Sequence, residues 1–329
     1  MKKIVCASIL AFTLIIFTFQ TSIAKQFNLK LGLDLAPGTP DDLGARKIAS
    51  IAEKLSNGQI KIKVFTVGQL GSAMDQIESV TQGTQEMMLM EITWFGNLLK
   101  DWNVLSMPFT FKTQKHLLAY LQSPLCEGVY KLASEKYNMR IISTNFNRLP
   151  RVILSKKPVF RPEDLKDVKF RVPAIPMYEI SWSAMGTRTT RITWGETYLG
   201  LKQGVAEAME GLFDGVVGMR FHEVAPYITM TNHLRTTAIF VVNEKIWKSL
   251  PANLQEVMKK AIKEGEKVFN DETERLKTVQ EERVIESGGA IMYVDIKPFK
   301  DKIQFLVDEQ ENKGMWSKGL YQKIQNLKY

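Results

Sequence analysis

Residues 251–287 read as one helix, and its length sets the scale for the rest of the chain. Leu254, Val257, Met258, Ala261, Ile262, Val268, Phe269, Leu276 and Val279 return at helical spacing. Ser249 and Pro251 mark the start, and Gly288-Gly289 marks the stop. At about 1.5 Å per residue such a helix runs roughly 55 Å, more than the width of a small domain. It therefore lies against two lobes at once, or else it breaks near Gly265 or Asn270. A chain of 329 residues suits two lobes, because one hydrophobic core rarely organises that length.

The first part of the chain has a second rhythm. FNLKLGLDL at 27–35 alternates as a strand and runs into Pro37, Gly38 and Pro40. A helical face through Ala45, Ile48, Ala49, Ile51, Ala52 and Leu55 stops at Asn57-Gly58, and Ile60, Ile62 and Val64 then alternate with lysines as a second strand. Gln69-Leu70-Gly71 turns the chain into a helix from Met74 to Gln82. Strand, helix, strand, helix predicts the α/β class, since parallel strands need crossover connections, and ligands gather at the carboxyl ends of such strands. Further on, Met87 to Met90 reads as a buried strand with Trp94-Phe95 just beyond it. Helices are expected over Thr113 to Gln122 and Leu125 to Tyr137, and strands over Arg140 to Thr144 and Val152 to Leu154.

The N-terminus and the charge limit where and with what such a chain works. Lys2 and Lys3 precede an apolar run from Ile4 to Phe19, and Ser22-Ile23-Ala24 offers small residues at a cleavage point, so residues 1–24 are expected to be a secretory signal peptide. The run is shorter than the roughly 20 residues of a membrane span. The net charge of +9 loses two lysines with that segment, leaving +7, with basic residues interleaved among acids rather than clustered. That pattern suits small anions and argues against nucleic acid as a partner. Only Cys126 remains after the signal, so no disulfide can form within the mature chain.

Catalytic constellations are missing. His222-Glu223-Val224-Ala225-Pro226 starts like a zinc-protease motif, but proline replaces the second ligand and would break the helix. No G-x-S-x-G, P-loop or G-x-G-x-x-G occurs, and adjacent acids such as Asp41-Asp42 and Glu281-Glu282 read as solvated faces. No metal set or cofactor is indicated. What stands out is KDVKFRVP at 166–173: Val168, Phe170 and Val172 share one strand face, leaving Lys169 and Arg171 on the other. Arg148, Arg151 and Arg171 fall beside short strands, with Trp182, Trp194 and Phe213 near them in sequence. A guanidinium fork beside an aromatic wall is built to hold a carboxylate, although an arginine opposite a buried strand face can equally point at water.

Five stretches in order resemble one known family: SNGQIKI at 56–62, GQLG at 68–71, MPFTF at 107–111, KFRVP at 169–173 and WGETYLGLKQG at 194–204. From Leu29 to about Asp295 the chain is similar to the solute-binding proteins of tripartite ATP-independent periplasmic (TRAP) transporters, the DctP type. The resemblance implies a two-lobed periplasmic-binding-protein-like fold with a hinge and a long helix lying across both lobes. Lobe I would comprise residues 25–148 plus 237–276, and lobe II residues 149–236 plus 277–329. It implies a monomeric periplasmic binding protein, not an enzyme, that carries an organic acid to small and large membrane subunits. The alternatives are a secreted enzyme acting on an organic acid, or the binding protein of an ATP-driven importer or a sensor.

The resemblance also implies residue roles. Arg171 would form the salt bridge to the ligand carboxylate, assisted by Arg151 about twenty residues earlier, with Arg148 the second choice for that part. Trp194 would pack on the ligand, and Trp94 belongs to the same expected site. Asp34 and Glu91 occupy positions that contribute polar contacts, with capping or solvation as the alternative. VAEAMEG at 205–211 departs from the family pattern, placing Gly211 where an asparagine is common, with extra room that Phe213 is expected to fill in part.

Overall fold

The computed structural model describes residues 25–329, so the expected signal peptide at 1–24 lies outside the described residues. Strands β1 (Phe27–Gly32), β2 (Ile60–Phe65), β3 (Met87–Glu91) and β4 (Met139–Asn147) come first. Next come β5 (Arg151–Ser155), β6 (Lys169–Val172), β7 (Arg188–Arg191), β8 (Ala208–Leu212) and β9 (Tyr227–Leu234), followed by β10 (Thr237–Asn243) and β11 (Ala290–Met292). They form two mixed sheets, ordered β2-β1-β3-β10-β4 and β11-β9-β5-β8-β6-β7. The expected two-lobed α/β fold is therefore present, one lobe around each sheet.

The opening rhythm is realised as read. β1 pairs in parallel with β2 and with β3, and the crossovers are the helices Pro40–Leu55 and Ala73–Gln82. Pro40 sits in the first turn, where its missing N–H is no loss. The second helix is fixed at its start by a capping box between Ser72 and Asp75 and at its end by Gly83, whose φ of 84° is left-handed. The chain leaves the first sheet between Asn147 and Arg151 and returns between Leu234 and Thr237.

The long helix is continuous from Ala252 to Glu286, and Gly265 does not break it. A Cβ at Gly265 would lie 2.3 Å from Cγ1 of Ile48 and 2.8 Å from the Gly44 carbonyl oxygen, while one at Gly44 would lie 3.1 Å from the Gly265 carbonyl. The two glycines let the Pro40–Leu55 helix and the long helix touch backbone to backbone, which no side chain would permit. Leu254, Met258, Ala261, Ile262 and Phe269 join the first lobe's core, whereas Val284 belongs to the second lobe's. Among the described residues no helix is long and apolar enough to cross a membrane.

Candidate functional site

The carboxyl ends of β1 and β3 face those of β6 and β8 across a cleft, and the functional side chains meet there. Within it lies a cavity of about 40 Å³ whose walls include Asp34, Glu91, Arg148, Arg151, Arg171 and Trp194. Asp34, Trp94 and Trp194 also line an adjoining outer chamber of about 420 Å³. Seven of the nine expected residues thus share one site: Asp34, Glu91, Trp94, Arg148, Arg151, Arg171 and Trp194. Tyr178, Asp41 and Leu212 also line the inner wall.

Arg171 owes its position to a four-residue strand held between β7 and β8. On one face Phe170 stacks against Trp182, ring centroids 4.3 Å apart, so the next side chain must project to the other face, into the cleft. Its Nε donates to the Ile192 carbonyl at 2.9 Å, and its guanidinium carbon lies 5.5 Å from the Trp194 ring centroid. Nη1 is buried with no hydrogen-bond partner. Burial pulls the Arg171 pKa down to about 10, which leaves it charged at neutral pH.

The other buried arginines are engaged differently. Arg151 gives Nη1 to both Glu91 oxygens at 2.8 and 2.6 Å, and Nε and Nη2 to Glu210. Arg148 forks onto Asp41 and lies 3.5 Å from Asp214. Arg148, Arg151 and Arg171 are only 6, 3 and 1% exposed, so all three charges are desolvated. Of these three, only Arg171 has no carboxylate within salt-bridge distance among the described residues.

Each of these arginines joins the two lobes, by pairing with one carboxylate from each. Glu91 ends β3 and Asp41 lies in the first helix, whereas Glu210 is on β8 and Asp214 just beyond it. Burial works to raise the Glu210 carboxyl, but the charge and hydrogen bonds of Arg151, with His233 close by at 3.6 Å, outweigh it and hold the pKa down to about 2. Burial pushes Asp214 up to about 6 and also raises Asp41, with the Arg148 charge opposing both. Arg151, expected beside the ligand, lines the cavity with its donors already given to two glutamates, and Glu91 is one of those partners.

Three readings need correction. Asp41 and Asp42, read as a solvated face, are 1 and 3% exposed; the Pro40 turn directs Asp41 at Arg148, which follows 107 residues later. Phe213 does not line the inner cavity, and its ring packs with Leu149, Val152 and Val216 in the second lobe's core. The room at Gly211 is taken by others: a Cβ there would lie 2.6 Å from Cγ1 of Val216, 3.2 Å from Cε of Met209 and 3.4 Å from Cη2 of Trp194. Gly215 adds a second gap under the same indole, 3.1 Å from Cζ2, and Phe221 meets that ring edge-on. Gly211 therefore works as part of a seat for Trp194. Gly211→Asn is expected to overpack it and cost about 1–3 kcal/mol in urea unfolding, with altered Trp194 fluorescence.

Tyr178 was not anticipated. It sits in the helix Pro176–Ala184, and its ring lies 5.1 Å from the Arg151 guanidinium carbon. Nothing in the local sequence marks that contact, because Arg151 and Tyr178 are on different elements. The remaining histidines are packed: His233 accepts or donates with Thr231 at 2.8 Å and faces Glu210, and His116 meets the Ile324 carbonyl at 2.8 Å. Burial raises the Cys126 thiol to about 11, so it is an inert core residue.

Comparison with known proteins agrees with this fold. A family model described as "Bacterial extracellular solute-binding protein, family 7" (DctP) matches residues 31–313. The sialic acid-binding periplasmic protein SiaP of Vibrio cholerae is 26% identical over 291 residues, covering 88% of this chain and 89% of that protein. The C4-dicarboxylate-binding periplasmic protein DctP of Rhodobacter capsulatus is 26% identical over 257 residues, 74 and 73% of the two chains. Among solved structures, a TRAP periplasmic solute-binding protein from Pseudomonas putida with bound D-glucuronate superposes with a TM-score of 0.84 at 25% identity, covering 92% of this chain and 98% of that one.

Proposed function

Since the chain belongs to the bacterial extracellular solute-binding proteins of family 7, the DctP type, we propose that it captures an organic acid by its carboxylate between the two lobes and delivers it to a TRAP-type secondary transporter. One observation carries the reading: Arg171 is a desolvated cation in the cleft with a free donor beside Trp194, while its two buried neighbours are neutralised by the protein. A ligand carboxylate supplies the missing counter-charge, and the indole excludes water from the pair. The relatives are named as binding proteins, and sialic acid, C4-dicarboxylates and D-glucuronate all carry a carboxylate.

The periplasm is the compartment we assign, on the names of those relatives, and the membrane subunits of the transporter are the partners. The lobes we assign are residues 25–148 with 237–276 and residues 149–236 with 277–329, except that the chain's last residues return to the first lobe, where the Ser317 N–H donates to Asp101 and the Gln325 amide to the Thr110 carbonyl. The changes of sheet near Asn147 and Leu234 support two of these boundaries. Closure brings Glu91 to Arg151 and Asp214 to Arg148 by rigid-body motion of one lobe on the other.

Thermal-shift screening of carboxylates against their neutral amides tests the reading. An acid at 100 times its dissociation constant is expected to add about 2.7 kcal/mol of stability, and its amide close to nothing. Equal stabilisation by acid and amide would remove the carboxylate from the mechanism.

A further inference from the structure

The charges around the cleft do not balance. Asp34, Asp41, Glu91, Glu210 and Asp214 set five carboxyl groups against the three guanidinium groups of Arg148, Arg151 and Arg171. Four of those carboxylates share two arginines, which leaves Arg171 for the ligand and Asp34 over. Asp34 has no basic nitrogen within 4.0 Å among the described residues, and its one donor is the Gln76 amide at 3.4 Å, which also serves the Gly71 carbonyl at 3.0 Å.

Position makes this surplus acid consequential. The inner chamber of about 40 Å³ accommodates a group the size of a few waters, enough for one carboxylate at Arg171. The rest of any larger ligand must extend into the outer chamber, and Asp34 stands with Trp94 and Trp194 at the junction. We infer that the ligand is a hydroxy monocarboxylate, its carboxylate on Arg171 and a hydroxyl donating to Asp34, and that Asp34 turns away acids bearing a second carboxylate. This rests on the carboxylate reading given above.

A second carboxylate at the junction would face Asp34 with Asp41 and Glu91 behind it, and neither nearby arginine is free to neutralise it. Farther out, Arg191 lines the outer chamber but its Nε is held by Glu179 at 2.9 Å, and Glu196 lines the same wall. A hydroxyl needs one acceptor, which Asp34 supplies. An ammonium group would need acceptors for three N–H bonds where the other wall carboxylates are already engaged. Burial, reinforced by the charges of Asp41 and Glu91 and opposed by Arg148 and Arg171, pushes Asp34 up to about 7. The ionised carboxylate that accepts the hydroxyl and repels a second anion is present above that value, so selection against diacids is full at higher pH and fades as pH falls through it.

The test is calorimetric titration of the full mature chain with three series matched in chain length. The hydroxy acids are glycerate, threonate and gluconate; the plain acids are propionate, butyrate and hexanoate; the hydroxy diacids are tartronate, tartrate and glucarate. A hydroxy acid is expected to bind at least roughly tenfold tighter than its plain and diacid counterparts. In Asp34→Asn the gap to the diacid should narrow by roughly tenfold and the pH dependence of that gap should disappear. Diacids binding as tightly as the matching hydroxy monoacids, or plain acids doing so, overturns the inference while leaving carboxylate capture standing. Norleucine binding more tightly than hexanoate and the hydroxy acids would replace the hydroxyl by an ammonium group and likewise overturn it. Binding by no acid in any series sinks both readings. The wild-type comparison decides even if the variant is poorly folded.

Discussion

Arg171→Ala is expected to weaken acid binding by about 2–5 kcal/mol, roughly 30- to 5,000-fold, as read by calorimetric titration. The size follows from where the charge sits. Arg171 is buried, its Nη1 lacks a partner and no carboxylate among the described residues is within 4.0 Å, so a bound anion is its counter-ion. Arg171→Lys should lose most of the same affinity, because an ammonium cannot keep the Nε bond to the Ile192 carbonyl and present a planar fork at the same time. Stability should move the other way. Removing a desolvated and unpaired cation relieves the unliganded fold, so the alanine variant should resist urea at least as well as the parent. Unchanged affinity in both variants would remove Arg171 from the site.

Arg151→Met is expected to be the most damaging single change to the fold, costing about 3–5 kcal/mol in urea unfolding. It strips the counter-charge from Glu91 and Glu210 together, and both are buried. In the parent, ionisation of Glu210 stabilises the fold fully above its ordinary value of 4.5, and that contribution fades as the pH falls toward about 2. In Arg151→Met the carboxyl is left in an apolar setting, its pKa rises, and stability should instead improve on mild acidification. Adding Glu91→Gln and Glu210→Gln to the variant should recover much of the loss, since it comes from uncompensated charge. A variant as stable as the parent at neutral pH would show that the network is not what closes the lobes.

Local pattern carried the reading of the fold a long way. Alternation in FNLKLGLDL and IKIKV, the capping and glycine signals around the first helices, and the apolar stripe of the long helix are all local statements, and β1, β2 and the two helices that follow them are formed accordingly. Gly265 shows where locality ends. A glycine within a helical stripe reads as a weak point, and its reason is Gly44, more than two hundred residues earlier.

The site divides along the same line. Arg171 was marked by its own strand, because Phe170 and Val172 fix which way it points. The occupancy of its neighbours was not, since Arg151 meets Glu91 and Glu210 across separations of 60 and 59 residues. Asp41 looked solvated for the same reason: a carboxylate in a helix's first turn is ordinary until the arginine opposite it is known. Phe213 is near Gly211 in sequence, but the space over Gly211 is filled by Val216, Met209 and Trp194, and Phe213 packs into the same core without lining the inner cavity.

The order of the first sheet has a consequence for how the chain comes to be folded at all. β10 lies between β3 and β4, yet it is synthesised after every strand of the second sheet except β11. Until residue 243 is available, β3 and β4 have no strand to join them, and their edges stay open along the seam. The N-terminal half therefore cannot mature ahead of its successor during synthesis, and neither half is a fragment that could be cut out and made alone. Completion waits on contacts between distant parts of the chain, which makes acquisition of the native state slow and keeps a nascent copy unfolded for longer.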